Sequence, residues 1–199
     1  HLHSMPLVAI LRGIQSSEVL DIAQAIYQQG WRCIEVPLNS PDALTSIQLL
    51  AQKMPADCLI GAGTVLQLGQ IKAVAEHGGK LIVMPHCDPL QIETAKNYGL
   101  YTLPGVATIS EAFVALRAGA DALKLFPAES VPPSALHAWI TVLPEDTLCM
   151  PVGGIRPDDM AAYWLAGARG FGIGSQLFRP GDHQHSVAER ARQYANSLQ

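Results

Sequence analysis

The sequence has few charged residues and no cluster of basic ones. Of its 199 residues, 15% are charged and 49% are hydrophobic, a balance that is atypical of disordered chains. The 13 lysines and arginines are scattered, and the net charge is −4. Nucleic-acid-binding surfaces and polybasic membrane patches need basic clusters. We therefore expect a globular protein with no nucleic-acid partner and no membrane association.

Long apolar runs, paired cysteines and metal-ligand motifs are also missing. No apolar run approaches the roughly 20 residues of a membrane-spanning helix, and the N-terminal residues lack the pattern of a signal peptide. No HExxH or clustered carboxylate motif occurs, so we expect no metal. The cysteines lie far apart without a CxxC pair, which is typical of reduced thiols in a cytoplasmic protein; they are Cys33, Cys58, Cys87 and Cys149.

What the sequence does contain is a repeated unit of a short apolar run followed by an amphipathic stretch. Glycine or proline ends most amphipathic stretches, as at the C-termini of helices. Apolar runs of four or five residues without alternation favour parallel strands that are covered on both faces. The predicted strands are 7–11, 33–38, 59–62, 81–84, 100–103, 122–126, 148–152 and 170–173. The predicted helices are 17–29, 41–53, 67–77, 89–98, 110–118, 134–142, 157–166 and a last one near 185–198.

Eight such units favour a compact α/β fold, the (β/α)8 TIM barrel, as one domain over residues 1–199. A doubly wound open sheet is the competing fold, but it usually has five or six strands and often a glycine-rich turn after the first strand. No GxGxxG or GxxxxGK[ST] motif is present. At the helix starts, Ser17, Ser40 and Ser110 occupy positions where N-caps are expected.

Two charged residues lie inside predicted strands. Lys124 has apolar neighbours on both sides, and Glu35 is the only acid in its run. Because side chains alternate along a strand, Lys124 and Glu35 are expected to face the barrel interior. A desolvated amine has a lowered pKa and can form a Schiff base with a ketone, which also needs a general acid/base. The alternative is a structural ion pair in the core.

Three glycine-containing segments follow predicted strands and are candidate ligand loops. The first contains Gly63 and Thr64. The others, after the seventh and eighth strands, are where (β/α)8 barrels usually bind phosphate through backbone N–H groups; their candidate residues are Gly153, Gly154, Gly174 and Ser175. The alternative is that these glycines only form tight turns.

Five segments in the same order resemble the 2-keto-3-deoxy-6-phosphogluconate/galactonate aldolases. They are residues 35–41 (EVPLNSP), 61–65 (GAGTV), 104–108 (PGVAT), 123–129 (LKLFPAE) and 152–155 (VGGI). The resemblance implies a metal-independent, cofactor-free Schiff-base aldolase that forms a homotrimer. Its substrate would be a phosphorylated 2-keto-3-deoxy sugar acid, and its products pyruvate and D-glyceraldehyde 3-phosphate. Lys124 would be the nucleophile and Glu35 the proton shuttle.

Within this family, three positions resemble the 6-phosphogalactonate branch. Arg12 matches an arginine with which that branch contacts its substrate. Asn39 and Val152 stand where the gluconate branch usually has arginine and threonine. The resemblance further implies that Thr64 and Gly63 bind the substrate carboxylate. The C4-epimeric gluconate aldolase, another phosphosugar barrel enzyme and a barrel that only binds a phosphorylated effector remain alternatives.

Overall fold

A computed structural model describes residues 5–198, in which strands and helices alternate along the chain. The strands are β1 (Leu7–Ile10), β2 (Cys33–Pro37), β3 (Leu59–Gly63), β4 (Leu81–Val83), β5 (Tyr101–Leu103), β6 (Gly105–Val106), β7 (Leu123–Leu125), β8 (Cys149–Pro151) and β9 (Phe171–Ile173). The helices are α1 (Val19–Gln28), α2 (Ala43–Lys53), α3 (Leu68–Glu76), α4 (Pro89–Asn97), α5 (Ile109–Arg117), α6 (Pro133–Ile140), α7 (Pro157–Leu165) and α8 (Gln184–Asn196). Residues 1–4, which bear on the signal-peptide prediction, lie outside the described part.

All strand pairs are parallel, in two sheets. Six strands pair in the order β5-β4-β3-β2-β1-β9, and three in the order β6-β7-β8. A parallel bridge between Val152 and Gly172 links the end of β8 to β9. The structure thus has the predicted parallel α/β architecture. Among residues 5–198, no helix combines the length and apolar character needed to cross a bilayer.

The strand count differs from the predicted eight because Pro104 separates β5 from β6. Proline has no N–H to donate to the ladder, although the Pro104 carbonyl still accepts from the Lys124 N–H at 2.9 Å. β6 was not among the predicted strands, since a Pro-Gly pair is typical of turns. The assigned strands therefore form two sheets rather than one continuous eight-stranded sheet.

The serines predicted to cap helices do not cap them. The residues at the cap positions of α1, α2 and α5 are instead Glu18, Asp42 and Thr108. Thr108 forms a capping box with Glu111. The Ser40 hydroxyl accepts from the Gly13 N–H at 2.9 Å and so ties the loop after β2 to the loop after β1.

Alternation along the strands divides the core into two clusters. Ile34 and Val36 on β2, and Leu123 and Leu125 on β7, belong to the larger cluster, which also contains the buried faces of the helices. The residues of opposite parity belong to a smaller cluster built from strand residues and residues next to strands, which includes Cys33 and Ala122. Glu35 and Lys124 lie two residues beyond Cys33 and Ala122 on the same strand face, and they therefore point into the interior.

Candidate active site

The candidate site lies at the carboxyl ends of the strands. A cavity of about 140 Å³ opens there. In barrels of parallel strands this is the end that carries the chemistry. Its lining brings together side chains and backbone that follow β1, β7, β8 and β9, namely Ile10, Arg12, Lys124, Phe126, Val152, Gly153, Gly154, Ile155, Gly174, Ser175 and Gln176. All four predicted phosphate-binding residues are thus on the wall that Lys124 also lines.

Lys124 is a buried amine at the cavity wall, with only 5% of its surface exposed. Burial lowers its pKa, the nearby charge of Glu35 opposes that decrease, and the charge of Arg12 adds to it. Its Nζ lies 4.7 Å from the centroid of the Phe126 ring, close enough for a cation–π contact when the amine is protonated. Phe126 was not among the site residues expected from the sequence, because its aromatic ring there is indistinguishable from a core residue.

Burial keeps the carboxyl group of Glu35 partly in its neutral, protonated form. Glu35 is 1% exposed, and its Oε2 atom has no hydrogen-bond partner among the residues that the structure describes. Burial raises the pKa of Glu35 to about 7, although the charges of Lys124 and Arg12 act in the opposite direction. Among the ion pairs formed by residues 5–198, none joins Glu35 to Lys124. A direct structural ion pair, the alternative considered for these residues, is therefore not formed.

Gly63 provides the space that the Glu35 carboxyl group occupies. The two residues lie on neighbouring strands, where Glu35 pairs with Gly61 and Pro37 pairs with Gly63. A Cβ atom built on Gly63 would lie 1.5 Å from Glu35 Oε2. No side chain larger than hydrogen fits at position 63 while Glu35 keeps this position.

Arg12 connects the loops that follow the first three strands. Its Nη1 donates to Asn39 Oδ1 at 2.6 Å, and its Nη2 donates to Thr64 Oγ1 at 3.2 Å. Thr64 has a φ of +52°, a left-handed conformation that is uncommon for a residue with a branched side chain. Thr64 is thus held in a strained backbone conformation beside Arg12, as strained residues at functional sites often are.

The loops after β8 and β9 present backbone to the cavity. Gly153 and Gly154 have φ values of +112° and +69°, which favour glycine. Val152 is 4% exposed and packs against Gly172, where an added Cβ would lie 2.7 Å from Val152 Cγ2. Val152 is therefore held rigidly at the cavity wall.

Two other features lie outside this cavity. His86, at the end of β4, does not line it, and its Nε2 lies 3.2 Å from Nε2 of the buried Gln91. A mainly apolar cavity of about 270 Å³ lies near the amino ends of the strands, lined in part by Cys33 and Leu81. Residues 5–198 contain no group of three or more His, Cys, Asp or Glu side chains arranged to hold a metal ion.

Comparison with known proteins identifies a consistent set of relatives. The family model described as KDPG and KHG aldolase matches residues 1–190. A Rhizobium meliloti protein named "Probable 2-dehydro-3-deoxy-6-phosphogalactonate aldolase" is 44% identical, over 94% of this chain and 88% of its own. The Escherichia coli 2-dehydro-3-deoxy-6-phosphogalactonate aldolase is 41% identical, over 97% of this chain and 94% of its own. The solved "Native KDPGal structure" is 41% identical with a TM-score of 0.95, over 98% and 94%.

The raised pKa of Glu35 predicts a pH-dependent stability. Between the ordinary pKa of 4.5 and the folded value of about 7, the folded state holds a proton that the unfolded chain has released. The free energy of unfolding therefore falls as the pH rises through this range, and Glu35→Gln removes the penalty. From about pH 5 to about pH 8, we expect the variant to gain about 1–3 kcal/mol relative to the unmodified protein, measured by urea unfolding.

The control for this experiment is Glu93→Gln, which changes an exposed glutamate on α4. Its difference from the unmodified protein should be the same at both pH values. If the advantage of Glu35→Gln did not grow with pH, the Glu35 carboxyl group would have the same pKa in the folded and unfolded states.

The close approach of Gly63 to Glu35 predicts a coupled pair of substitutions. Gly63→Ala should destabilise the protein by about 1–3 kcal/mol, because the new methyl group must displace the carboxyl group. In a Glu35→Ala background the same substitution should cost much less, and unfolding of all four proteins in a double-mutant cycle measures the difference. Gly69→Ala, where nothing lies within 4 Å of the added Cβ, is the control. An equal loss of stability in both backgrounds would mean that the added methyl group contacts a group other than the Glu35 side chain.

Proposed function

Since the chain belongs to the KDPG and KHG aldolase family, we propose that it is a Schiff-base aldolase cleaving 2-dehydro-3-deoxy-6-phospho-D-galactonate. The products are pyruvate and D-glyceraldehyde 3-phosphate. The names of the relatives at 41% and 44% identity support this substrate. The observation that carries the proposal is the buried amine of Lys124, which lines a cavity together with four candidate phosphate-binding residues.

The reaction begins with attack of the neutral Lys124 amine on the C2 ketone. The new C–N bond forms as the carbonyl electron pair moves to oxygen, which gives a carbinolamine. Loss of water, with a proton supplied by Glu35, leaves a protonated imine, the iminium. The lowered pKa of Lys124 supports this step, because it increases the fraction of nucleophilic amine.

Carbon–carbon cleavage uses the iminium as the electron sink. Glu35 takes the proton from the C4 hydroxyl, C4 becomes the aldehyde carbon, and the C3–C4 electron pair moves into the enamine. After the aldehyde leaves, the proton is returned to C3, and water hydrolyses the resulting iminium to pyruvate and free Lys124. A pKa of about 7 suits a group that both donates and accepts protons near neutrality.

Two groups of contacts are proposed to hold the two ends of the substrate. Thr64, the Gly63 backbone and Arg12 bind the carboxylate end. The 6-phosphate binds at the loops after β8 and β9, where backbone N–H groups can hold an anion without a lysine. The candidate residues for binding the phosphate are Gly153, Gly154, Gly174 and Ser175. Because the iminium accepts the electrons, the proposed reaction needs no metal and no cofactor.

We also propose that the two sheets form one closed (β/α)8 barrel, a single domain over residues 1–199. β5 and β6 would then be two halves of one strand interrupted at Pro104, and the Val152–Gly172 bridge would close the ring. We propose a cytoplasmic homotrimer. Exposed leucines beside the loops after β3 and β4 support a subunit contact, since Leu66 and Leu90 are 50% and 57% exposed.

The test of the Schiff base is trapping with pyruvate and borohydride. We expect one reduced pyruvate adduct per chain, on the peptide that contains Lys124, because borohydride converts the iminium to a stable amine. Lys124→Met should form no adduct while keeping the fold, since methionine fills a similar volume. Lys72→Met, at an exposed site on α3, is the matched control and should be labelled normally. An adduct on another lysine would contradict the role of Lys124 as the nucleophile, and no adduct at all would favour a phosphosugar barrel enzyme of another class.

The substrate epimer is tested at Val152. A threonine hydroxyl there could donate a hydrogen bond to the C4 oxygen in one epimer, which valine cannot do. We expect the protein to have the higher kcat/KM on the galactonate derivative. Val152→Thr should raise relative activity on the gluconate epimer by up to about tenfold, since one hydrogen bond contributes about 0.5–1.5 kcal/mol.

The same substitution at the exposed Val142 is the matched control and should leave the ratio unchanged. A preference of the unmodified protein for the gluconate epimer would contradict the proposed substrate and support the epimeric aldolase. An unchanged ratio in Val152→Thr would mean that position 152 does not discriminate the epimers.

A further inference from the structure

The guanidinium group of Arg12 is held at the cavity by two neutral oxygen atoms. The amide oxygen of Asn39 accepts from Nη1 and the hydroxyl of Thr64 accepts from Nη2. A guanidinium has five N–H donors, of which these bonds use two. Three donors therefore remain for another acceptor.

The charge of Arg12 has no carboxylate partner. Arginine is always protonated in proteins, and within residues 5–198 none of the ion pairs includes Arg12. An aspartate at position 39 would have the same shape as asparagine. Its carboxylate could form an ion pair with Arg12 through two parallel hydrogen bonds. The amide thus holds the exposed guanidinium through a hydrogen bond without forming an ion pair with it.

The segment that carries Asn39 is fixed on both sides. The Leu38 N–H donates to the Gly63 carbonyl at 2.8 Å, and the Ser40 hydroxyl accepts from the Gly13 N–H at 2.9 Å. These bonds join the Asn39 segment to the loop that carries Arg12 and to the strand that leads to Thr64. The backbone on both sides of residue 39 is therefore positioned by the fold independently of Arg12.

We propose that Asn39 is a positioning residue that holds Arg12 at the cavity without neutralising it, so that the charge of Arg12 is available to the substrate carboxylate. This inference rests on the proposed function and identifies what prepares the carboxylate end of that site. Asn39 itself need not touch the reacting atoms.

The test compares Asn39→Asp with Asn39→Ala. Asn39→Asp keeps the shape and supplies a competing carboxylate, so KM for the substrate should rise at least about tenfold while kcat changes much less. Asn39→Ala removes one hydrogen bond and leaves the charge, so KM should rise only about two- to tenfold. The pyruvate concentration that gives half-maximal borohydride trapping should shift in the same order, which provides a readout without turnover.

Two controls separate positioning from a general effect of charge or structure. Asn97→Asp makes the same charge change at an exposed site on α4 and should leave KM unchanged. In an Arg12→Met background, Asn39→Asp should have an effect of less than about twofold on half-maximal trapping, because its partner is gone. Thermal unfolding of each variant confirms that the fold is kept.

Equal increases in KM for Asn39→Asp and Asn39→Ala would overturn the inference, as would an Asn39→Asp effect that persists in Arg12→Met. An unmodified protein that forms no adduct at all would refute the proposed function together with this inference. If the unmodified protein is labelled on Lys124 and Asn39→Asp shows the same dependence of trapping on pyruvate concentration, the inference is refuted and the proposed function stands.

Discussion

The burial of two ionisable groups, one on β2 and one on β7, is the constraint on which the rest of the site depends. Glu35 and Lys124 are almost fully buried, and burial shifts the pKa of each toward its neutral form. Each charge partly opposes the effect of burial on the other, although they form no direct ion pair. Gly63 leaves the room that the carboxyl group occupies, and the Phe126 ring lies beside the amine.

Strand alternation accounts for how much of this site the sequence predicts. The apolar neighbours on both sides of Glu35 and Lys124 indicate which face of its strand each residue occupies. Side chains alternate between the two faces along the whole strand, so this prediction does not depend on knowing where the strand ends. The same pattern cannot show that position 63 touches the Glu35 carboxyl group, since that contact depends on the register between β2 and β3. The β6 strand was missed for a related reason, because pairing with β7 overrides the turn preference of Pro104 and Gly105.

The proposed chemistry rests on strand residues, whereas the proposed recognition of the substrate rests on loops. The two buried groups project from β2 and β7, so the proposed chemistry rests on the rigid part of the fold. Recognition is assigned to loops that are tied to one another, as where Ser40 bonds the Gly13 N–H. From the sequence, Ser40 matched a helix cap, and only the structure shows that its hydroxyl is used across the loops instead. Side chain to backbone bonds between loops carry no periodic signal, so local pattern cannot predict them.

The electrostatics of the site are incomplete in a specific way. Within residues 5–198, one buried carboxyl oxygen of Glu35 has no hydrogen-bond donor, and Arg12 forms no ion pair. In the proposed substrate the C1 carboxylate would bind Arg12, the C2 ketone would meet the Lys124 amine, and the C4 hydroxyl, two carbons beyond the ketone, would donate to Glu35. Such a ligand satisfies all three groups together, whereas a simple anion satisfies only one. Because an unsatisfied buried polar group is costly, the hydroxyl that would meet Glu35 contributes most to selection of the proposed substrate, while the exposed Arg12 would add the preference for a carboxylate.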